Sequence, residues 1–168
     1  YENGTVLDYF NSMIAKIGEN LILNDLLIKE NKNDYSFYIH NSYRNNIGKI
    51  VSFILYKTDD NKDEIKNLSK NLCMHVAAMK PESIDIYDLD TKIIDNEKKI
   101  QKELILSSGK PEKIAEKILD GKMNKFYSEV TLLNQKYILD QEKSVKEIIK
   151  KFSDDYNYEI TSFQIVTL

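Results

Sequence analysis

Residues 107–126 read SSGKPEKIAEKILDGKMNKF. A tight Gly109-Lys110-Pro111 corner starts a helix. Ile114, Ala115, Ile118 and Leu119 then recur at three- and four-residue spacing, which places them on one apolar stripe. Lys and Glu fill the other face. Gly121 interrupts the pattern, and Met123, Phe126 and Tyr127 resume it. Upstream of the corner, Ile93, Ile94, Glu97, Ile100 and Leu104 supply a second helix. The spacing therefore predicts an antiparallel helical hairpin over roughly residues 91–128.

Working outward, Val6, Leu7, Phe10, Met13, Ile14 and Ile17 mark an amphipathic helix that stops at Gly18. Residues 21–28 are rich in Leu and Ile and read as a strand with a bulge at Asn24 and Asp25. Residues 35–40 and 47–56 are β-prone. The polar NSYRNN between them predicts a hairpin with a long tip. A charged turn follows, with Asn61 and Glu64 at capping-box spacing. The helix it opens carries Ile65, Leu68, Leu72, Val76 and Met79 on one face and ends before Pro81. After the helical hairpin, 130–133 and 136–139 read as short strands around a turn. Ser144 and Glu147 form a second capping box for a helix through Phe152. Residues 158–166 alternate and read as a last strand. Parallel βαβ repetition is absent, so the fold class is α+β with small antiparallel sheets and packed helices.

The totals narrow the function. At 168 residues the chain makes one domain or two small subdomains. With 42% hydrophobic residues it can build a core. A net charge of −3 argues against a dedicated nucleic-acid binder. Arg44 is the sole arginine, so forked phosphate or base recognition is poorly supplied. Cys73 is the sole cysteine, which rules out an internal disulfide and reads as a small buried hydrophobe. No apolar run reaches the roughly 20 residues that span a membrane as a helix. A chain that begins at Tyr1 is expected to be processed or a fragment.

Covalent catalysis finds no equipment. His40 and His75 sit on different elements, and one cysteine cannot build a zinc set. Cys73 and His75, two apart on a helix, point to different faces. The five glycines are scattered singly, so no phosphate loop exists. Asp59, Asp60 and Asp63 lack the spacing of a calcium loop. The expectation is no catalytic residue, no metal and no cofactor.

The 107–126 stretch resembles the GKPxxIAEKxxxGxMxKF signature of the elongation factor Ts family. Four further segments resemble that family in its order. They are KIGEN at 16–20, Tyr38 and His40 followed by Ile47 and Gly48, MHVAAMKP at 74–81, and SVKEIIKKF at 144–152. The resemblance implies a core of two α+β subdomains, 1–79 and 80–90 with 130–168, plus an inserted coiled-coil arm at 91–129. It implies a guanine-nucleotide exchange factor that binds elongation factor Tu, in its GDP or nucleotide-free form, and promotes GDP release by disturbing the magnesium and phosphate site. His40 matches the family histidine that packs against the GTPase, and Ile17 and Gly18 match a turn against the same region. Tyr38, Ile47 and Gly48 complete the expected partner-binding set and shape the hairpin around His40. His75 is expected to cap or fill the core. Some relatives form homodimers through the second subdomain, so a homodimer is expected there; no nucleic acid and no membrane are expected as partners.

The resemblance also departs from the family. The N-terminal ubiquitin-associated-like domain and the TDFV motif have no counterpart here, and Gln164 stands where the last strand usually carries Arg. These departures imply the dimerisation core of a longer factor, with weak GTPase binding and poor exchange on its own. The compartment implied is one that houses bacterial-type translation, either bacterial cytoplasm or a mitochondrial or plastid matrix. Two alternatives remain. One is a non-catalytic dimerisation or docking module. The other is an RNA-associated translation factor using Lys98, Lys99, Lys102, Lys110 and Lys113, although the interspersed glutamates read as an ordinary solvated face.

Overall fold

The computed structural model describes residues 4–24, 33–60, 62–107 and 111–167. It is α+β, and the chain divides into two compact units, Tyr1–Lys32 and Asn33–Leu168.

The first unit holds helix α1 (Val6–Ile17). The Thr5 hydroxyl oxygen accepts from the Asp8 N–H at 3.1 Å, and the Asp8 carboxylate accepts from the Thr5 N–H at 2.8 Å. This capping box satisfies two otherwise orphaned donors. The Thr5 hydroxyl and N–H together hold the Asp8 carboxyl below its usual range. Gly18 ends the helix as expected: at φ 77° its N–H donates to the Ile14 carbonyl at 2.9 Å. Residues 21–24 carry no regular structure, contrary to the strand expected there, and 25–28 lie outside the described residues.

The second unit runs β1 (Asp34–Arg44), β2 (Ile47–Lys57), α2 (Asp63–Met79), α3 (Thr91–Ser107), α4 (Glu112–Val130), β3 (Lys136–Tyr137), β4 (Asp140–Ser144), α5 (Val145–Tyr156) and β5 (Glu159–Thr167). One sheet has the order β1-β2-β5, all antiparallel; β3 and β4 form a second, two-stranded sheet. Strand β2 is central because its alternation suits it. Ser52, Ile54 and Tyr56 point to one face and are buried there. Helix α2 covers that face with Ile65, Leu68, Leu72 and Val76, spaced for one helical stripe. Met79 was expected on that stripe but is exposed, because it is the helix's last residue. The same apolar cluster takes in Leu132, Tyr137, Val145, Ile149, Tyr158 and Ile160, so segments from both ends of this unit share one core. Each fully buried aliphatic side chain contributes about 1.5–3 kcal/mol by leaving water.

Polar groups inside this core are paired. The Ser52 hydroxyl donates to the Cys73 carbonyl at 2.7 Å, and the Ser69 and Tyr158 hydroxyls lie 2.9 Å apart. The Cys73 thiol donates to the Ser36 carbonyl at 3.2 Å. Burial pushes that thiol up to about 12, so it stays a neutral filler. His75 is fully buried. Its Nδ1 accepts from the Ile138 N–H at 3.3 Å, which leaves Nε2–H to donate to the Gln135 side-chain carbonyl at 2.9 Å. The Gln135 amide nitrogen donates in turn to the Glu129 carbonyl at 2.7 Å and the Met79 carbonyl at 3.3 Å. His75 thus fills the core and ties the end of α2 to the end of α4.

Helices α3 and α4 form the expected hairpin; the corner residues 108–110 lie outside the described residues. The seam differs in detail. Ile105 and Met123 are buried, with Ile94, Glu97, Gln101, Ala115, Ile118 and Leu119 half-buried. Ile93, Ile100, Leu104 and Ile114 are exposed. A single partner helix covers only a narrow stripe, and the apolar positions here are spread wider than that. Gly121 does not interrupt α4, which is continuous.

Three other expectations are corrected. Residues 130–133 are not a strand: Val130 ends α4, Leu132–Asn134 form a 3-10 turn, and Thr131 makes one isolated bridge with Ser83. Burying Leu132 in the core outweighs the local β-propensity. The small hairpin lies at 136–144 instead of 130–139. Asn61, the expected cap, lies outside the described residues, and Lys62 stands at the cap of α2, its side chain making no capping hydrogen bond among the described residues. The Ser144–Glu147 box is present, with the Ser144 N–H donating to the Glu147 carboxylate at 2.7 Å.

Two outcomes are expected. Gly121→Ala should stabilise the chain by about 0.5–1 kcal/mol in urea titration. The glycine lies mid-helix, and an added Cβ would meet nothing within 4 Å. Burial pushes the His75 imidazole below its ordinary value of 6.5, so the unfolded chain binds the proton that the folded one refuses. Stability should therefore be fully present above pH about 6.5 and fall as pH drops through it. In His75→Gln that fall should shrink, measured as unfolding free energy at pH 8 and pH 5.5.

Candidate functional site: the β1–β2 hairpin

The hairpin carries four of the six expected site residues. Its register pairs Tyr38 with Ser52, His40 with Ile50 and Ser42 with Gly48. Tyr38 and His40, two apart on a strand, share the face that carries Ser52 and Ile54. The Tyr38 ring packs against the core cluster, whereas His40, one step further out, is exposed. The Tyr38 hydroxyl lies 3.1 Å from His40 Nδ1, with ring centroids 6.0 Å apart.

The tip is shorter than expected. The strands run on through Asn41, Ser42, Tyr43 and Arg44 until Arg44 pairs with Ile47. Only Asn45 and Asn46 connect them. Asn46 takes φ 64°, a left-handed conformation that asparagine tolerates. Asn41 is also left-handed at φ 52°, and the register shifts between Ser42 and Arg44. The Ser42 hydroxyl reaches the Arg44 carbonyl at 2.7 Å. This irregularity bends the outer hairpin just past His40.

Gly48, expected to shape the hairpin, sits where the two strands leave no room for a side chain. A Cβ there would sit 2.8 Å from the His40 carbonyl oxygen and collide with the Ile39 side chain. The missing side chain lets β2 approach β1 beneath His40. Ile47 is exposed beside it. Ile17 and Gly18 belong to the Tyr1–Lys32 unit, at the end of α1. Of the six, the structure therefore places Tyr38, His40, Ile47 and Gly48 together on one hairpin.

Gln135 escaped the sequence reading altogether. A glutamine in a polar-looking segment gives no sign that it will saturate a buried histidine and two carbonyls; only the fold brings them together. Among the described residues, no three His, Cys, Asp or Glu side chains converge as a metal set. Among them, too, no helix is long and apolar enough to cross a membrane.

Residues 1–168 match the family described as Elongation factor TS. The chain belongs to the elongation factor Ts family. It is 37% identical to Elongation factor Ts of Ehrlichia canis (strain Jake) over 153 residues, which is 90% of this chain and 53% of that relative. It is 35% identical to Elongation factor Ts of Wolbachia pipientis wMel over 170 aligned positions, covering 100% of this chain and 59% of the relative. Against Elongation factor Ts of Aquifex aeolicus (strain VF5) it is 36% identical over 159 residues, 95% of this chain and 52% of the relative. The chain spans about half the length of the curated relatives it matches.

Gly48→Ala is expected to destabilise the chain by about 1–3 kcal/mol, as overpacking of a filled site does. Chemical denaturation measures it, and an unchanged midpoint would mean that the strands are not held at this close approach.

Proposed function

We propose that this chain is the GTPase-binding core of a nucleotide exchange factor for elongation factor Tu. The observation that carries the reading is membership of the elongation factor Ts family along all 168 residues. The hairpin supports it by offering an exposed histidine on a rigid, core-anchored base. In this reading His40 contacts the GTPase, and Ile47 on the same hairpin adds to that contact; Ile17 and Gly18, at the end of α1, are contacts proposed separately. Tyr38 and Gly48 shape the contact. Residues 91–129 act as the family's inserted arm.

The factor makes no covalent bond. It binds the GTPase in its GDP or nucleotide-free form and strains the magnesium and phosphate contacts that hold the nucleotide. Those contacts supply much of the nucleotide's affinity, so loosening them speeds GDP release. Linkage makes the effect mutual, and the returning nucleotide expels the factor. Coupling of about 1–3 kcal/mol corresponds to roughly 5–150-fold in affinity. The setting is a compartment with bacterial-type translation. A homodimer through 80–90 and 130–168 belongs to the same reading; β5, in that segment, is an edge strand of its sheet among the described residues.

The test is release of fluorescent GDP from elongation factor Tu with and without this chain. Acceleration is expected, weaker than that by a full-length member of the family. His40→Ala should weaken binding of the GTPase by about 1–2 kcal/mol, the size of a moderate interface contact, with unchanged folding. No acceleration, or full acceleration by the alanine variant, would overturn the assignment or the role of His40 respectively.

A further inference from the structure

We propose that Tyr38 is a positioning residue. Its hydroxyl tethers the His40 imidazole so that Nε2–H faces outward as a donor to an oxygen acceptor on the GTPase. The proposal rests on the reading that His40 contacts that partner.

The observations form a chain of supports. His40 is exposed on β1, and the structure gives its ring a hydrogen bond to the Tyr38 hydroxyl at 3.1 Å from Nδ1. The Tyr38 ring is lodged against the core cluster, so the hydroxyl is a fixed post and not a second mobile group. The backbone beneath is fixed as well, because Gly48 lets β2 close up to the His40 carbonyl. A phenol donates readily, and a neutral imidazole has one donor nitrogen and one acceptor nitrogen. With the hydroxyl donating to Nδ1, the ring proton sits on Nε2. Nε2 lies across the ring from Nδ1 and therefore faces away from the tyrosine. Tyr38 thus selects both the orientation and the tautomer. A histidine held this way meets its partner already ordered, which removes part of the cost of immobilising a side chain on binding. The acceptor it fits is a backbone carbonyl, a side-chain amide oxygen or a carboxylate.

Tyr38→Phe tests this, because it keeps the ring in the core and deletes only the hydroxyl. Binding to elongation factor Tu should weaken about three- to ten-fold, mainly through faster dissociation. In a His40→Ala background the same change should do nothing further. Nitrogen-15 NMR of the neutral His40 ring supplies a readout that packing alone does not move. In the unsubstituted chain Nδ1 should be unprotonated, and its resonance should shift in Tyr38→Phe. Three results would overturn the proposal: Tyr38→Phe binding as tightly as the unsubstituted chain while His40→Ala binds weakly, a Tyr38→Phe loss that persists without His40, or a ring proton on Nδ1. If His40→Ala binds normally, the failure lies in the contact assigned to His40, and the tether falls with it.

Discussion

Strand β2 is the constraint on which the second unit depends. It is paired on both edges, by β1 and by β5, and buried on one face under α2. A strand in that position must supply large apolar side chains at alternate residues, and Ile54 and Tyr56 do so. Ser52 is the polar exception, and its hydroxyl is spent on the Cys73 carbonyl in the middle of α2. That bond links the sheet to the helix at one defined position, because an unpaired hydroxyl there would carry a desolvation penalty of about 1–3 kcal/mol. The hairpin, the covering helix and the last strand are all located relative to β2. The candidate site on the hairpin is anchored to the same core through the Tyr38 ring.

A second, polar constraint holds the root of the α3–α4 hairpin. His75 and Gln135 saturate each other and the carbonyls of Met79 and Glu129. Backbone bonds run alongside, from the Glu82 N–H to the Val130 carbonyl at 2.8 Å and from the Leu132 N–H to the Ser83 carbonyl at 2.9 Å. The α3–α4 hairpin therefore joins the core at a stitched base. Its far part is thinly covered, with Ile100, Leu104 and Leu106 exposed. Among the described residues the Gln101 side-chain oxygen is buried at the seam without a hydrogen-bond partner, while its amide donates to Glu97 at 2.7 Å. Unlike the root, the seam carries an unmet polar demand.

How far the chain could be read depended on the range of the interaction. The Ser144–Glu147 box and the Gly18 stop were legible because cap chemistry acts over three or four residues. The α2 stripe was legible from Ile65 to Val76 because a helix face repeats locally. NSYRNN was misread as a long tip. Polar turn-formers are common in loops, yet here Asn41 to Arg44 stay in the ladder and a register shift absorbs the mismatch. At 130–133 the β-prone run became a helix end and a 3-10 turn, because the core claims Leu132 from outside the segment. Of the site, the residues Tyr38, His40 and Gly48 were legible as a motif, but the contact from hydroxyl to imidazole was not.

The sequence by itself determined the α+β class, the helical hairpin, the Ser144–Glu147 cap, the Gly18 stop and the family, since these rest on local periodicity, short-range side-chain chemistry and motifs kept in order. Only the tertiary structure decided that β5 pairs with β2, that Gln135 completes His75, and that Gly48 closes under His40. Each of those joins residues that the chain separates by at least eight positions and by as many as about a hundred. Such pairings are selected by which arrangement buries the most apolar surface while leaving the fewest polar groups unpaired. That selection is a property of the assembled core, and no single stretch of the chain contains it.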